Sequence, residues 1–293
     1  MKYAAIDIGT NAARLLIGEV KENKGVSQVK KISYTRVPLR LGMEVFTNGV
    51  ISPGKTEEFL KTMKAFKLLA EVYHVAEIQA CATSAMREAS NGKEVKKKIL
   101  KETGLNIAII DGEEEAKTIF STFSLIVPDD ESAYLVIDVG GGSTEISIFE
   151  NDQRIAGRSF NVGTLRLLKE KVDAQVWTGM KKWINSVINK KIKYKVFATG
   201  GNINKIHKLL NKQFLQPVKI SEFKKLYVKL EEMSFEERVE EFNLKPDRAD
   251  VIVPACQIYA YVFKQLKCKE IYVPRIGLSD GMIYEMHKKQ SAY

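Results

Sequence analysis

Cysteine and histidine are both scarce in this chain, with three of each among 293 residues. Cys81, Cys256 and Cys268 form no CxxC pair and suggest no disulfide framework, so a reducing cytoplasm is the expected location. His74, His207 and His287 lie far apart, none is followed by Asp, and they read as packing or surface residues rather than ligands. Long apolar runs are also missing. Asp7 and Arg14 interrupt the apolar patches of residues 1–20, no small-residue cleavage site follows, and no stretch approaches the roughly 20 apolar residues of a membrane span. Neither a signal peptide nor a membrane partner is expected. The sequence has no low-complexity linker, and no basic motif interleaved with aromatics that would point to nucleic acid.

What is present is an ordinary globular composition, 45% hydrophobic and 28% charged, long enough for two domains with their own cores. The net charge of +10 is uneven. Residues 1–150 hold 19 Lys and Arg against 21 Asp and Glu, whereas residues 151–293 hold 27 against 15. Residues 166–229 alone carry 16 basic and three acidic side chains. Such a block makes a field that attracts a polyanion, although charge alone does not say which one.

Short apolar strands alternate with helical periodicity along the whole chain, which indicates α/β layers. Tyr3–Gly9 reads as a buried strand, with its hairpin partner at 13–20 and a further strand near 28–36. Helices are expected at 53–73, from about residue 90, and at 112–124, where three glutamates mark a helix start. Strands fall at 77–83 and 105–110. The opening pattern then returns: Tyr134-Leu-Val-Ile-Asp-Val-Gly140 repeats the first strand, and Gly141-Gly142-Ser143-Thr144 makes the turn. The copies align without a gap at a spacing of 131 residues, placing Ile6 on Ile137, Asp7 on Asp138, Gly9 on Gly140 and Ile17 on Ile148. A repeat on that scale implies two domains built on one plan. We expect domains of 1–125 and 126–293, divided near the Pro128-Asp129-Asp130 break, with a closing helix 279–293 able to pack back on the first. The second half continues with strands at 145–150, 154–160, 194–198 and 270–273, and helices at 163–172, 175–190, 203–210, 248–265 and 279–288.

The two Asp-x-Gly turns are the chemical signal. A carboxylate at a strand end can hold hydrated Mg²⁺, and small residues after it let phosphate oxygens approach backbone N–H groups. Gly140, Gly141 and Gly142 followed by Ser143 suit such a cradle, and the Thr199-Gly200-Gly201 turn between a strand and a helix is a third candidate.

These strings occur together with others in a fixed order: Ile6-Asp7-Ile8-Gly9-Thr10-Asn11, Thr83-Ser84-Ala85-Met86-Arg87, Asp111-Gly112-Glu113-Glu114-Glu115-Ala116, Ile137 to Glu145, Asn161 to Arg166, Thr199-Gly200-Gly201 and Leu278 to Met282. Together they resemble the Ppx/GppA phosphatase family across nearly the whole chain. The resemblance implies two ribonuclease-H-like domains of the actin-like ATPase superfold with the active site in the cleft between them. It further implies Mg²⁺-dependent removal of the terminal phosphate of inorganic polyphosphate, or conversion of guanosine pentaphosphate to tetraphosphate, by a homodimer. By motif, Glu115 would position or deprotonate the attacking water. Asp138 and Glu145 would be catalytic and hold the metal, with Asp7 a further metal candidate. Thr10, Asn11, Arg87, Gly140, Gly141, Gly142, Ser143, Gly200 and Gly201 would hold phosphate. Arg14 either touches substrate or caps its hairpin. The chain resembles the short two-domain members, for which short polyphosphates are the expected preference. Rival readings are a small-molecule kinase of the same superfold, which needs a phosphate acceptor, and a nucleotide-binding scaffold that polymerises.

Overall fold

The computed structural model describes residues 1–23, 26–122, 133–151 and 153–291. The chain divides into two compact units, residues 1–127 with 276–293, and residues 128–275. The Pro128-Asp129-Asp130 break, the end of the helix expected to reach residue 124 and Asp152 lie outside the described residues.

The first unit opens with β1 (Tyr3–Ile8), whose six residues are all buried, as its unbroken apolar run requires of a central strand. It pairs antiparallel with β2 (Ala13–Asn23), which pairs with β3 (Val26–Val37). Two helices follow, α1 (Leu41–Asn48) and α2 (Pro53–Val72). The α2 start shows why sequence fixes it: the Ser52 hydroxyl accepts from Lys55 N–H at 3.1 Å, and Pro53 occupies the first position, where no N–H is needed. Then come β4 (Glu77–Ala82), α3 (Ser84–Glu88), α4 (Gly92–Thr103), β5 (Ile107–Ile109) and α5 (Gly112–Phe120). The sheet order is β3-β2-β1-β4-β5, with β4 and β5 parallel to β1.

The second unit repeats this order. Strands β6 (Ala133–Val139), β7 (Thr144–Glu150) and β8 (Gln153–Phe160) form an antiparallel meander, and after α6 (Thr164–Leu168) and α7 (Ala174–Val187) strand β9 (Lys195–Thr199) pairs parallel with β6. The sheet order is β8-β7-β6-β9. Next are α8 (Gly201–Leu209), β10 (Val218–Lys219), α9 (Ile220–Glu232), α10 (Phe235–Glu241), α11 (Pro246–Ala249), α12 (Ile252–Leu266) and β11 (Glu270–Ile271). A parallel bridge from Phe197 to Tyr272, beside β11, fills the fifth strand position. Both units therefore have the ribonuclease-H-like arrangement of the actin-like superfold. The duplication extends to an irregularity: β2–β3 slips register between Ile17 and Gly18, and β7–β8 slips between Ile148 and Phe149, the same place in each copy.

The core of the second unit runs from Leu135, Ile137 and Ile146 through Met180 and Ile203 to Ile252, Tyr259 and Phe263 of α12, which touches α6, α7, α8, α9 and β6. Helix α13 (Leu278–Ser291) closes the chain but belongs to the first unit, against β1, β2 and α5. There Gly281 meets α5 backbone to backbone, since a Cβ at 281 would stand 2.0 Å from the Thr118 carbonyl oxygen.

Several sequence expectations change. The helix expected at 248–265 is two pieces, and α12 starts only at Ile252, which places Pro254 in its first turn. The helix expected at 163–172 stops at Leu168. Helices α1, α3, α9 and α10 were not anticipated.

Candidate functional site

Both units carry one device, a hairpin tip held from beneath by a helix start. In the first, Gly9 N–H donates to Ala12 O at 3.1 Å to close the turn after β1. The Thr10 carbonyl accepts from Gly42 N–H of α1 at 3.0 Å, and the Asn11 carbonyl from Arg40 N–H at 2.9 Å. In the second, Gly140 N–H donates to Ser143 O at 2.9 Å, and the Gly141 carbonyl accepts from Leu165 N–H of α6 at 2.8 Å. The buried Arg166 replaces the third of these bonds with its side chain, donating from Nε to Gly142 O at 2.8 Å. Gly163 lies so close to this tip that a Cβ there would be 2.5 Å from backbone atoms of Gly141 and Gly142. In both tips the carbonyls are committed to the helix beneath.

The strands set side chains in a row across each sheet at its tip end. In the first unit the row is Cys81, Asp7, Arg14 and Arg36, on β4, β1, β2 and β3. In the second it is Thr199, Asp138, Glu145 and Ser159, on β9, β6, β7 and β8. Asp7 is buried and ion-paired to Arg14 Nη1 at 2.6 Å. Glu145, which stands in the second copy where Arg14 stands in the first, is buried and accepts from the Ser159 hydroxyl at 2.7 Å. Asp138 and Glu145 face each other in register, two carboxylates of a kind that suits a hard cation otherwise ligated by water and phosphate oxygens. The donor set therefore fits a divalent metal ion. Asp7 differs, because a guanidinium already engages one of its oxygens.

Helix α5 carries Glu115 in its first turn. Asp111 caps it by accepting from Glu113 and Glu114 N–H groups at 2.9 and 2.8 Å, and three carboxylates there are favoured by the helix dipole. Glu115 is half-buried. Arg87, half-buried on α3, donates from Nη1 to the carbonyl of Ile110 at 2.7 Å and so ties α3 to the start of α5. Cys81 reports the local field. Burial first, then the charges of Asp7, Glu114, Glu285 and Glu115, push its thiol up to about 12, which leaves it protonated near neutral pH.

The third turn lies next to the second tip. Gly200 has φ 112°, a conformation that favours glycine, and a Cβ there would be 2.8 Å from the Val139 carbonyl and 3.0 Å from Asp138 Oδ1. Arg248 fixes the start of α8, donating to Gly201 O at 2.5 Å and Asn202 Oδ1 at 3.0 Å. In the second unit, therefore, Asp138, Glu145, Gly140 to Ser143 and Gly200 form one neighbourhood. In the first, Asp7, Thr10 and Asn11 share a tip, and Arg87 and Glu115 stand on adjoining elements. Sequence reasoning gave no role to Arg36, Ser159, Arg166, Arg248 or Tyr259.

The basic stretch is less well placed for the tip. Lys181, Lys182, Lys190, Lys191 and Lys193 are exposed, and Lys195 begins β9, roughly 13 Å along the strand from Thr199.

Duplicated ribonuclease-H-like units, each with a glycine-containing tip and one with facing carboxylates, define a two-unit α/β protein of the actin-like superfold. The Ppx/GppA phosphatase family profile matches residues 17–290, and the chain belongs to that family. It is 29% identical over 170 residues to exopolyphosphatase 1 of Mycobacterium tuberculosis, a stretch covering 58% of this chain and 48% of that protein. It is 25% identical to a guanosine-5'-triphosphate,3'-diphosphate pyrophosphatase of Pseudoalteromonas translucida, covering 97% of this chain and 59% of that one. It is also 36% identical over 175 residues to a bifunctional 3-dehydroquinate synthase/phosphatase of Fusobacterium nucleatum, 26% of whose length is matched. The matched stretch thus spans half or less of the mycobacterial and fusobacterial relatives. Among solved structures, an exopolyphosphatase from Cytophaga hutchinsonii superposes with a TM-score of 0.84 at 24% identity, covering 99% of this chain and 98% of that one. The Aquifex aeolicus family member gives 0.77 at 24% identity, with 99% and 98% covered. Among the described residues, no helix is long and apolar enough to cross a membrane.

Proposed function

We propose that this protein is a divalent-metal-dependent phosphoanhydride hydrolase that releases the terminal phosphate of inorganic polyphosphate. The observation that carries the reading is the facing pair Asp138 and Glu145 beside the Gly140–Ser143 tip, set in a chain of the Ppx/GppA family. Asp138 and Glu145 would hold Mg²⁺, with Asp7 retained by its Arg14 ion pair as a structural member of the first tip. When bound, the cation supplies positive charge against the phosphate oxygens and the leaving chain.

The N–H groups of both tips, the Thr10 hydroxyl, the Asn11 amide, the Arg87 guanidinium and the Gly200-Gly201 turn would hold the terminal phosphate, where fixed donors stabilise charge spreading over its equatorial oxygens. Glu115 would accept a proton from the attacking water and aim it in line with the bridging oxygen. A carboxylate placed within reach of that water is a competent general base. No protein nucleophile is needed, and Cys81 is unsuited to be one.

A second reading, guanosine pentaphosphate as substrate, is favoured by the relative of that type that covers almost the whole chain. The deciding experiment measures phosphate release in parallel from short polyphosphate, long polyphosphate and guanosine pentaphosphate, with Mg²⁺ and with chelator. We expect Mg²⁺-dependent release from polyphosphate without any acceptor, fastest on short chains. Release only from guanosine pentaphosphate would select the second reading, and no release without an added acceptor would overturn both.

A further inference from the structure

Tyr259 is completely buried in the core of the second unit, stacked on Phe263 with ring centroids 5.6 Å apart. Its neighbours there are apolar, and phenylalanine would fill the same volume. A hydroxyl in such a place must find partners, and where it finds them is informative. It donates to the Thr199 carbonyl and accepts from Val139 N–H. Those are the first backbone groups beyond the last paired residues of β6 and β9, Asp138 and Thr199. The hydroxyl therefore bridges the two strands where their ladder stops, directly behind the Asp138 carboxylate.

Gly200 shows how tight this arrangement is. The point where a Cβ would sit at residue 200 is 3.0 Å from Asp138 Oδ1 and 3.3 Å from the Tyr259 hydroxyl, so the three groups share one small volume.

We propose that Tyr259 is a positioning residue for the metal-holding carboxylate: its hydroxyl fixes the ends of β6 and β9 so that Asp138 presents its oxygens beside Glu145 in one orientation. This rests on the metal reading above. Partners one shell behind a ligand commonly change metal affinity 10- to 100-fold when removed, because they fix ligand orientation.

The test is Mn²⁺ binding to the substrate-free protein by titration calorimetry, for wild type, Tyr259→Phe and Tyr261→Phe, with melting temperatures for each. Tyr261 is the matched control, since it sits on the same helix and its hydroxyl donates to a backbone carbonyl, that of Trp177, at 2.7 Å, remote from Asp138. We expect Tyr259→Phe to weaken Mn²⁺ binding about 10-fold and Tyr261→Phe to leave it within about 2-fold, whatever either does to stability. Equal effects of the two variants on affinity, or none from Tyr259→Phe, would overturn the proposal. Should Tyr259→Phe fail to fold, Gly200→Ala is the second variant: a folded Gly200→Ala protein with unchanged Mn²⁺ affinity would also overturn it. Wild type that binds no Mn²⁺ would refute the metal reading itself, and the positioning role with it.

Discussion

The two hairpin tips share backbone, turn hydrogen bond, supporting helix and even the site of the register slip, yet their side-chain rows carry opposite charge. Asp7, Arg14 and Arg36 sum to a positive row, while Asp138, Glu145 and Ser159 make a negative one. The change turns on one position: Arg14 in the first copy stands where Glu145 stands in the second. With arginine there, the aspartate is neutralised by a 2.6 Å ion pair. With glutamate there, two carboxylates face each other and the site suits a cation. On the proposed reading, one duplicated scaffold serves two tasks, anion holding in the first unit and cation holding in the second.

The comparison is broken most severely by Glu145→Arg, which makes the second row imitate the first. Asp138 should then form an ion pair like that of Asp7, Mn²⁺ binding should vanish in calorimetry, and phosphate release should fall about 1,000-fold, the several kcal/mol a catalytic cation supplies. The circular dichroism spectrum should not change. The reverse change, Arg14→Glu, should raise the Michaelis constant for polyphosphate about 10-fold, because it breaks the ion pair that holds Asp7 and leaves two negative charges at the proposed phosphate-holding tip. It should also add a second, weaker Mn²⁺ per chain. One Mn²⁺ in that variant would mean that the first row lacks more than charge to bind metal.

Acid should separate the units by a smaller effect. In the second unit His207 is buried, its Nε2–H donating to Gln216 O at 3.0 Å and its Nδ1 accepting from Arg275 at 3.2 Å. Burial, with the nearby charges of Arg275 and Lys212, holds its pKa below the ordinary value, against a raising contribution from the Gln216 bond. The unfolded chain takes up this proton near pH 6.5 and the folded chain only lower, so stability is lost as pH falls below about 6.5. In the first unit Asp280 has the opposite sign: burial raises its pKa despite Lys31 at 2.9 Å, so the folded state gains relative to the unfolded as it protonates. Both tryptophans, Trp177 and Trp183, lie in the second unit, so fluorescence reports it alone. The urea midpoint of that signal should drop between pH 7.5 and 5.5 in wild type, and drop less in His207→Gln.

Much of this was legible in the sequence. The gapless match of residues 6–17 with 137–148 announced the duplication, and the Asp-x-Gly ends located both tips. The rows across the sheets were not legible, for a specific reason. Counting back from the hairpin loop would pair Glu145 with Arg158 and Arg14 with Thr35, because the slips at Ile148/Phe149 and Ile17/Gly18 move each partner by one residue and so to the other face. Ser159 and Arg36 were hidden by that slip. Tyr259 was hidden differently, as one apolar-periodic position in a long helix whose hydroxyl finds its partners only through tertiary packing. Other misses had signals that were available. Asn48-Gly49 marks the end of α1, where Gly49 has φ 75°, and Phe223, Leu226 and Leu230 give α9 a buried face within what looked like a run of charge. Pro254 near the start of α12 marks the break that divides a helix read from residue 248.

The most direct test of the whole account is phosphate release from polyphosphate by Glu115→Gln, with substrate affinity measured alongside. The account predicts turnover lowered 100- to 10,000-fold, the range for removal of a general base, with affinity changed less than about 3-fold. Turnover near that of wild type would contradict it.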